Sequence, residues 1–164
     1  MLKILQAINN FINEIILWLA TTIIAVMVLA LFLSAFTRYV SGIGYDWFIE
    51  LPPVLTSWLV FPLLGPLLIK GKHIKVDFIS SYIGEDSKSV LRLFVALIAL
   101  LSGIIFFKAG VEATMLYFNL GQKMELEIDI PIWWMYLAFP TGFFILILFS
   151  LQMICEEINI IRKA

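Results

Sequence analysis

The stretch Ile15–Thr37, IILWLATTIIAVMVLALFLSAFT, contains 23 residues and no charged side chain. An α-helix rises about 1.5 Å per residue, so about 20 apolar residues are needed to cross a hydrocarbon core about 30 Å thick. The stretch therefore predicts a membrane-spanning helix. It is too long for the apolar core of a secretory signal, and Lys3 is the one basic residue before it.

Three further runs of the same kind follow the first. Residues 51–69 and 131–155 carry no charge, whereas the third run contains Arg92 and Lys108. Backbone groups in lipid must be hydrogen-bonded within their own segment, so each run is predicted to be a helix. The sequence therefore predicts an all-α integral membrane protein with a single domain, 1–164, and four transmembrane helices. The predicted spans are 15–37, 51–69, 90–111 and 131–155.

The overall composition agrees with a membrane protein and excludes several other classes. Of 164 residues, 62% are hydrophobic and 14% are charged, against about 45–50% and about 25% in soluble domains. The net charge of −1 offers no basic field to a nucleic acid. One cysteine and one histidine exclude an internal disulfide and a haem held between paired histidines.

Basic residues predict how the four spans are oriented. Eight Lys and Arg residues lie in the two terminal tails and the 70–92 connection, whereas three lie on the other side, at Arg38, Lys108 and Lys123. Cytoplasmic segments carry the excess of basic residues. Both termini are therefore expected in the cytoplasm, with the other two connections outside.

We expect no ionisable side chain near the middle of any span. Lys108 and Glu112 are placed near the outer end of the third span, where their i, i+4 spacing allows them to pair. An autonomous ion-coupled transporter needs an ionisable or coordinating group at depth. Two alternatives stay open: a four-span exporter working as a homodimer with Glu14 as its carboxylate, and a small membrane enzyme built on the lysine-rich connection.

Prolines and small residues indicate how the helices pack. Pro52 and Pro53 are expected to begin the second helix, because a missing N–H costs little there. Pro62 and Pro66 are interior and are expected to kink it. Small residues four apart favour close helix contact, and they occur as the pairs Ala30/Ser34, Ala99/Gly103 and Ala109/Ala113.

The connection after the second span reads GKHIKVD over residues 71–77. It resembles the Gly-x-His-Ile-x-Val-Asp signature of the DctQ-like small membrane subunits of TRAP (tripartite ATP-independent periplasmic) transporters. Residues at the ends of the first, second and fourth spans match the family in the same order. The signature residues are Gly71, His73, Ile74, Val76 and Asp77. The residues that the resemblance marks as candidate subunit contacts are Arg38, Glu50, Trp58, Trp133 and Tyr136.

This resemblance implies an accessory subunit of the bacterial inner membrane, not an enzyme. Such a subunit braces a large many-span membrane subunit that carries the sodium and substrate sites, so no cofactor is expected in this chain. A periplasmic binding protein delivers an organic acid of the C4-dicarboxylate or sialic acid type. The expected partners are thus these two proteins and phospholipids, with no nucleic acid.

The connections predicted to lie outside are acidic. Residues 123–130 alternate charged and apolar side chains, and an extended chain with that period turns its charges to one side. Those charges are candidates for docking a basic patch of the binding protein, and the alternative is an ordinary solvated loop. The candidate docking residues are Asp46, Glu125, Glu127 and Asp129.

Overall fold

Four long helices and one short helix form the part of the chain described by this computed structural model, residues 2–70, 85–124 and 129–162. The four long helices are long and apolar enough to cross a membrane, which confirms the all-α class. The described residues contain no strand, and an isolated bridge joins Lys123 to Pro131. The helices are α1 (Leu2–Ser41), α2 (Trp47–Ile69), α3 (Glu85–Leu120), α4 (Ile132–Tyr136) and α5 (Ala138–Ile161).

Two helices are much longer than their apolar runs. Helix α1 has 40 residues and begins 13 residues before the predicted span, while α3 has 36 and continues to Leu120. Helix α2 begins at Trp47, so the prediction that Pro52 and Pro53 begin it is wrong. The Asp46 carbonyl accepts the N–H groups of Ile49 and Glu50 at 2.9 and 3.0 Å, which starts the helix earlier.

Helix α5 is the centre of the arrangement. It packs along α3 and along α2, whereas α1 packs mainly on α2 and has fewer contacts with α5. The short helix α4 contacts α3, α2 and α5. Helices α1 and α3 therefore flank the α2–α5 pair and keep much of their apolar surface exposed.

Small residues mark the seams along which the flanking helices pack. Ala96, Gly103 and Gly110 are buried and recur every seven residues on α3, a spacing that keeps them on one face. A Cβ atom at Gly103 would lie 2.9 Å from the Ile147 side chain, so the two helices approach closely. Ala109 is exposed because its neighbour Gly110 faces the bundle, so the predicted Ala109/Ala113 pair is not buried against another helix among the described residues of this chain.

Helix α1 has a similar seam. Asn9, Ile16, Ile23 and Ala30 are buried at intervals of seven residues. Ser34 is buried one turn after Ala30, so this predicted pair of small residues does lie inside the bundle. The opposite side of α1 is exposed and apolar.

The bundle has two distinct ends. The first turns of α1 meet the last turns of α5, because Gln6 bonds to Glu156. We call this end, which holds both termini, the terminal end. The opposite end, which holds the α1–α2 turn and the connection from α3 to α4, is the loop end. Placement of the terminal end in the cytoplasm stays a prediction from the charge distribution.

Candidate functional site

Aromatic side chains join three helices at the loop end. The indole N–H of Trp58 on α2 donates to the backbone carbonyl of Trp134 on α4 at 3.1 Å, and the two rings lie 5.7 Å apart. The ring of Trp133 meets Phe118 of α3 edge-on at 5.6 Å. Trp58 and Trp133, both candidate subunit contacts, therefore make contacts within this chain that position α4.

A tyrosine pair continues this contact between α3 and α4. The rings of Tyr117 and Tyr136 stack at 4.3 Å, and their hydroxyl oxygens lie 3.4 Å apart. Tyr136 also stacks on Phe139 at 5.7 Å. The tyrosines thus link the loop end to the aromatic interior of the bundle.

The α1–α2 turn carries the charged residues Arg38 and Asp46, both exposed. The Gly42 N–H donates to the Arg38 carbonyl at 3.1 Å, and Gly42 has a φ of 69°, a left-handed conformation that favours glycine. A Cβ at Gly44 would lie 2.5 Å from Arg38 Nε, so the guanidinium rests against the turn. The candidate contact Arg38 therefore also shapes the loop end.

The connection from α3 to α4 pairs with itself across residues 122–124 and 130–132. The Met124 N–H donates to the Ile130 carbonyl at 2.9 Å, and the Ile132 N–H donates to the backbone carbonyl of Gln122 at 3.1 Å. The Lys123 ammonium lies 2.9 Å from the Asp129 carboxylate, and both side chains are exposed. Asp129 thus has a cationic partner in its own loop, whereas Glu125 and Glu127 lie outside the described residues.

A cavity of about 610 Å³ opens at the loop end between α2, α3, α4 and this connection. Its wall is mainly apolar, formed by residues such as Val54 and Met135. Polar groups from three helices and from the connection also reach it: Glu50, Tyr117, Tyr136 and Gln122. Glu50 and Tyr136, from the candidate contact set, are therefore brought together here.

A polar network that the sequence analysis missed lies at the terminal end. Glu156 Oε1 accepts amide N–H groups from Gln6 at 2.9 Å and from Gln152 at 2.8 Å. The buried Asn9 amide donates to Gln152 Oε1 at 2.7 Å and to the Leu148 carbonyl at 3.2 Å. These bonds connect α1 to α5 where apolar contact between them is limited. The available signal was the spacing of Gln6 and Asn9 on one helix face, before the first apolar run.

A buried carboxylate lies at the same end. Glu157 of α5 has a side chain only 6% exposed, and its Oε1 atom lies 3.6 Å from Arg92 Nη1 of α3. Its Oε2 atom is buried and has no hydrogen-bond partner among the described residues. The pair ties α3 to α5 at the terminal end.

Comparison with protein families identifies the family to which this chain belongs. The family model of the DctQ component of tripartite ATP-independent periplasmic transporters matches residues 27–159. The chain belongs to the DctQ family. The matched range begins in the second half of α1, contains all of α2, α3 and α4, and ends two residues before the end of α5. No curated protein and no solved structure matches the chain.

DctQ membership makes this chain a small multi-pass membrane component of a TRAP transporter. Proteins of this family function with a large membrane subunit and a periplasmic binding protein, and DctQ is not an enzyme family. The match gives no support to an autonomous exporter. The DctQ-like signature residues Gly71, His73, Ile74, Val76 and Asp77 lie outside the described residues.

Proposed function

We propose that this chain is the scaffold subunit of a sodium-coupled TRAP transporter in a bacterial inner membrane. It braces the large transport subunit, and its loop end faces the periplasm and helps to dock the substrate-binding protein. The cargo is an organic acid of the C4-dicarboxylate or sialic acid type. Sodium and substrate are bound by the large subunit, and phospholipids cover the rest of the apolar surface.

The observation that carries this proposal is a set of aromatic contacts that joins α2, α5 and α3 near mid-height. The Phe61 ring of α2 lies 4.0 Å from Phe139 and 5.9 Å from Phe143 of α5. Phe143 in turn stacks on Phe106 of α3 at 5.2 Å. These contacts between the three helices are made by apolar rings, which offer none of the ionisable or coordinating groups that an ion-coupled transport site requires.

The docking part of the proposal rests on charge at the loop end. Asp46 and Asp129 are both exposed there, on different connections. An acidic surface attracts a partner that carries a basic patch and chiefly raises the rate of encounter. Since Asp129 is already paired with Lys123, Asp46 and the two glutamates of the connection supply the larger share of the unbalanced charge.

Reconstitution in liposomes tests the proposed function. The chain is incorporated alone, with its large subunit, and with the large subunit plus binding protein, and uptake of radiolabelled sialic acid and C4-dicarboxylates is measured under an inward sodium gradient. We expect uptake only when all three proteins are present. Sodium-driven uptake by this chain alone, or full uptake without it, would contradict the proposal.

A further inference from the structure

The packing of α3 on α5 sets the depth of Lys108 in the membrane. Phe106 stacks on Phe143, the central residue of the uncharged run 131–155. Lys108 follows Phe106 by two residues and is therefore displaced from it by about 3 Å along the axis of α3. Glu112 follows Phe106 by six residues and is displaced by about 9 Å. The hydrocarbon core extends about 15 Å on each side of its middle. With Phe143 taken as the middle of the membrane, both residues lie within the hydrocarbon core.

Both charges point away from the rest of the chain. The side chains of Lys108 and Glu112 are 81% and 68% exposed, and Lys108 Nζ lies 4.0 Å from Glu112 Oε1. They are on the opposite side of α3 from the Gly103 seam. Exposed apolar side chains continue the same face above and below the pair. We call this surface the α3 flank: Leu101, Ile105, Lys108, Glu112 and Met115.

The exposed side of α1 differs from the α3 flank. Between residues 15 and 37 it contains no charge. Its exposed hydroxyls, on Thr21 and Thr22, donate to the carbonyls of Leu17 and Trp18 within the same helix. These two hydroxyls are thus satisfied within α1 itself, as a lipid-facing surface requires.

We infer that the α3 flank is where a transmembrane helix of the large subunit packs, with polar or charged groups level with Lys108 and Glu112. This inference rests on the proposed function and adds the contact face to it. An ammonium has three donors and a carboxylate has two acceptor oxygens, so one contact at 4.0 Å leaves most of them unmet. Lipid tails supply no partners, and ionisable groups at depth therefore face protein or water.

Photo-crosslinking tests the assignment with two matched sites. Ile105 on the α3 flank and Val28 on α1 are 65% and 62% exposed, and each lies near the middle of its span. Each is replaced by p-benzoylphenylalanine in the chain co-expressed with its large subunit and binding protein. We expect Ile105 to crosslink to the large subunit and Val28 to crosslink to lipid. Crosslinking of Ile105 to lipid, or to a second copy of this chain, would overturn the inference.

Charge variants give a second measurement, the amount of large subunit that co-purifies. We expect Lys108→Glu/Glu112→Lys, which preserves the internal pair but reverses its direction, to reduce recovery about threefold or more, because fixed partner groups would then face like charges. If lipid covered this flank, the reversal would be neutral and Lys108→Leu/Glu112→Leu would match the wild type. If the large subunit does not co-purify with the wild-type chain, the proposed function is rejected. If it co-purifies equally well with the wild type and with the charge-reversed variant, only this inference is rejected.

Discussion

Gly142 of α5 lies directly against the backbone of Phe61 in α2. A Cβ atom at position 142 would be 2.5 Å from both the carbonyl carbon and the carbonyl oxygen of Phe61. Backbone atoms cannot rotate away as a side chain can, so the separation of α2 and α5 depends on the absence of a side chain here. Phe139 and Phe143, which lie near this glycine on α5, both contact the Phe61 ring in tilted arrangements.

Gly142→Ala should therefore destabilise the bundle more than Gly103→Ala does. A Cβ at Gly103 meets the Cγ1 atom of the Ile147 side chain, which can shift more easily than backbone atoms can. Overpacking against fixed atoms costs about 1–3 kcal/mol, so we expect a lower melting temperature for Gly142→Ala. Thermal unfolding of the two variants in the same detergent provides the measurement, and equal melting temperatures would show that α2 moves away at little cost.

The polar network at the terminal end should contribute measurably to the attachment of α1. Asn9→Ala removes two donors and leaves Gln152 Oε1 without the bond it accepts from α1. Interhelical hydrogen bonds in membrane proteins average about 0.6 kcal/mol, with a maximum of about 1.7 kcal/mol. We expect a loss in this range, and a smaller one for Asn10→Ala, whose side chain is exposed.

A double-mutant cycle separates the bond from other effects of the substitution. Unfolding free energies of Asn9→Ala, Gln152→Ala and the double variant give the coupling between the two residues. We expect the double variant to lose less than the sum of the single variants. Strict additivity would mean that the amide contact contributes nothing.

The local pattern of the sequence was sufficient to predict the four helices, but not how they align with each other. The 23 uncharged residues of Ile15–Thr37 require a helix whatever surrounds them. By contrast, the depth of Lys108 depends on Phe106 meeting Phe143, which lies 37 residues further along the chain. Apolar runs of different lengths do not show from the sequence alone which of their residues lie at the same depth, so the alignment of α3 with α5 could not be predicted.

The aromatic residues of the loop end illustrate a similar limit. The resemblance to the DctQ family marked Trp58 and Trp133 as candidate contacts with another subunit. The structure shows that Trp58 also bonds to Trp134, 76 residues away in the same chain. An aromatic residue near a membrane boundary can contact lipid, a partner subunit or a neighbouring helix of its own chain. The sequence alone does not show which of these contacts it makes. The network of Gln6, Asn9 and Glu156 was missed because it lies beyond the apolar runs.

The orientation of the bundle can be measured by cysteine labelling in intact cells. With Cys155→Ser as background, single cysteines replace Lys3, at the terminal end, and Asp46, at the loop end. The eight-to-three distribution of basic residues predicts that an impermeant maleimide reacts with the second and not with the first. After the membrane is permeabilised, both should react. Labelling of the first site from outside would place the loop end in the cytoplasm and refute the docking proposal.

The acidic connection between α3 and α4 provides the test of docking. Neutral amides at Glu125, Glu127 and Asp129 remove three negative charges from the loop end, and they also free Lys123 from its contact with Asp129 at 2.9 Å. The net charge of this surface therefore becomes more positive by three units. Because long-range attraction acts mainly on encounter, we expect reduced uptake when binding protein is limiting. Higher concentrations of binding protein should restore part of the uptake, and added salt should reduce the difference from wild type.

Two controls make the docking result specific to the loop end. Glu14→Gln changes one exposed charge on α1, near the terminal end, and should leave the titration unchanged. Lys123→Met, which removes the partner of Asp129 while keeping the acids, should increase uptake at limiting binding protein. Co-purification with the large subunit should be equal for all variants. If uptake by the triple variant follows the wild-type titration while the complex stays intact, these acids serve only to keep the loop solvated.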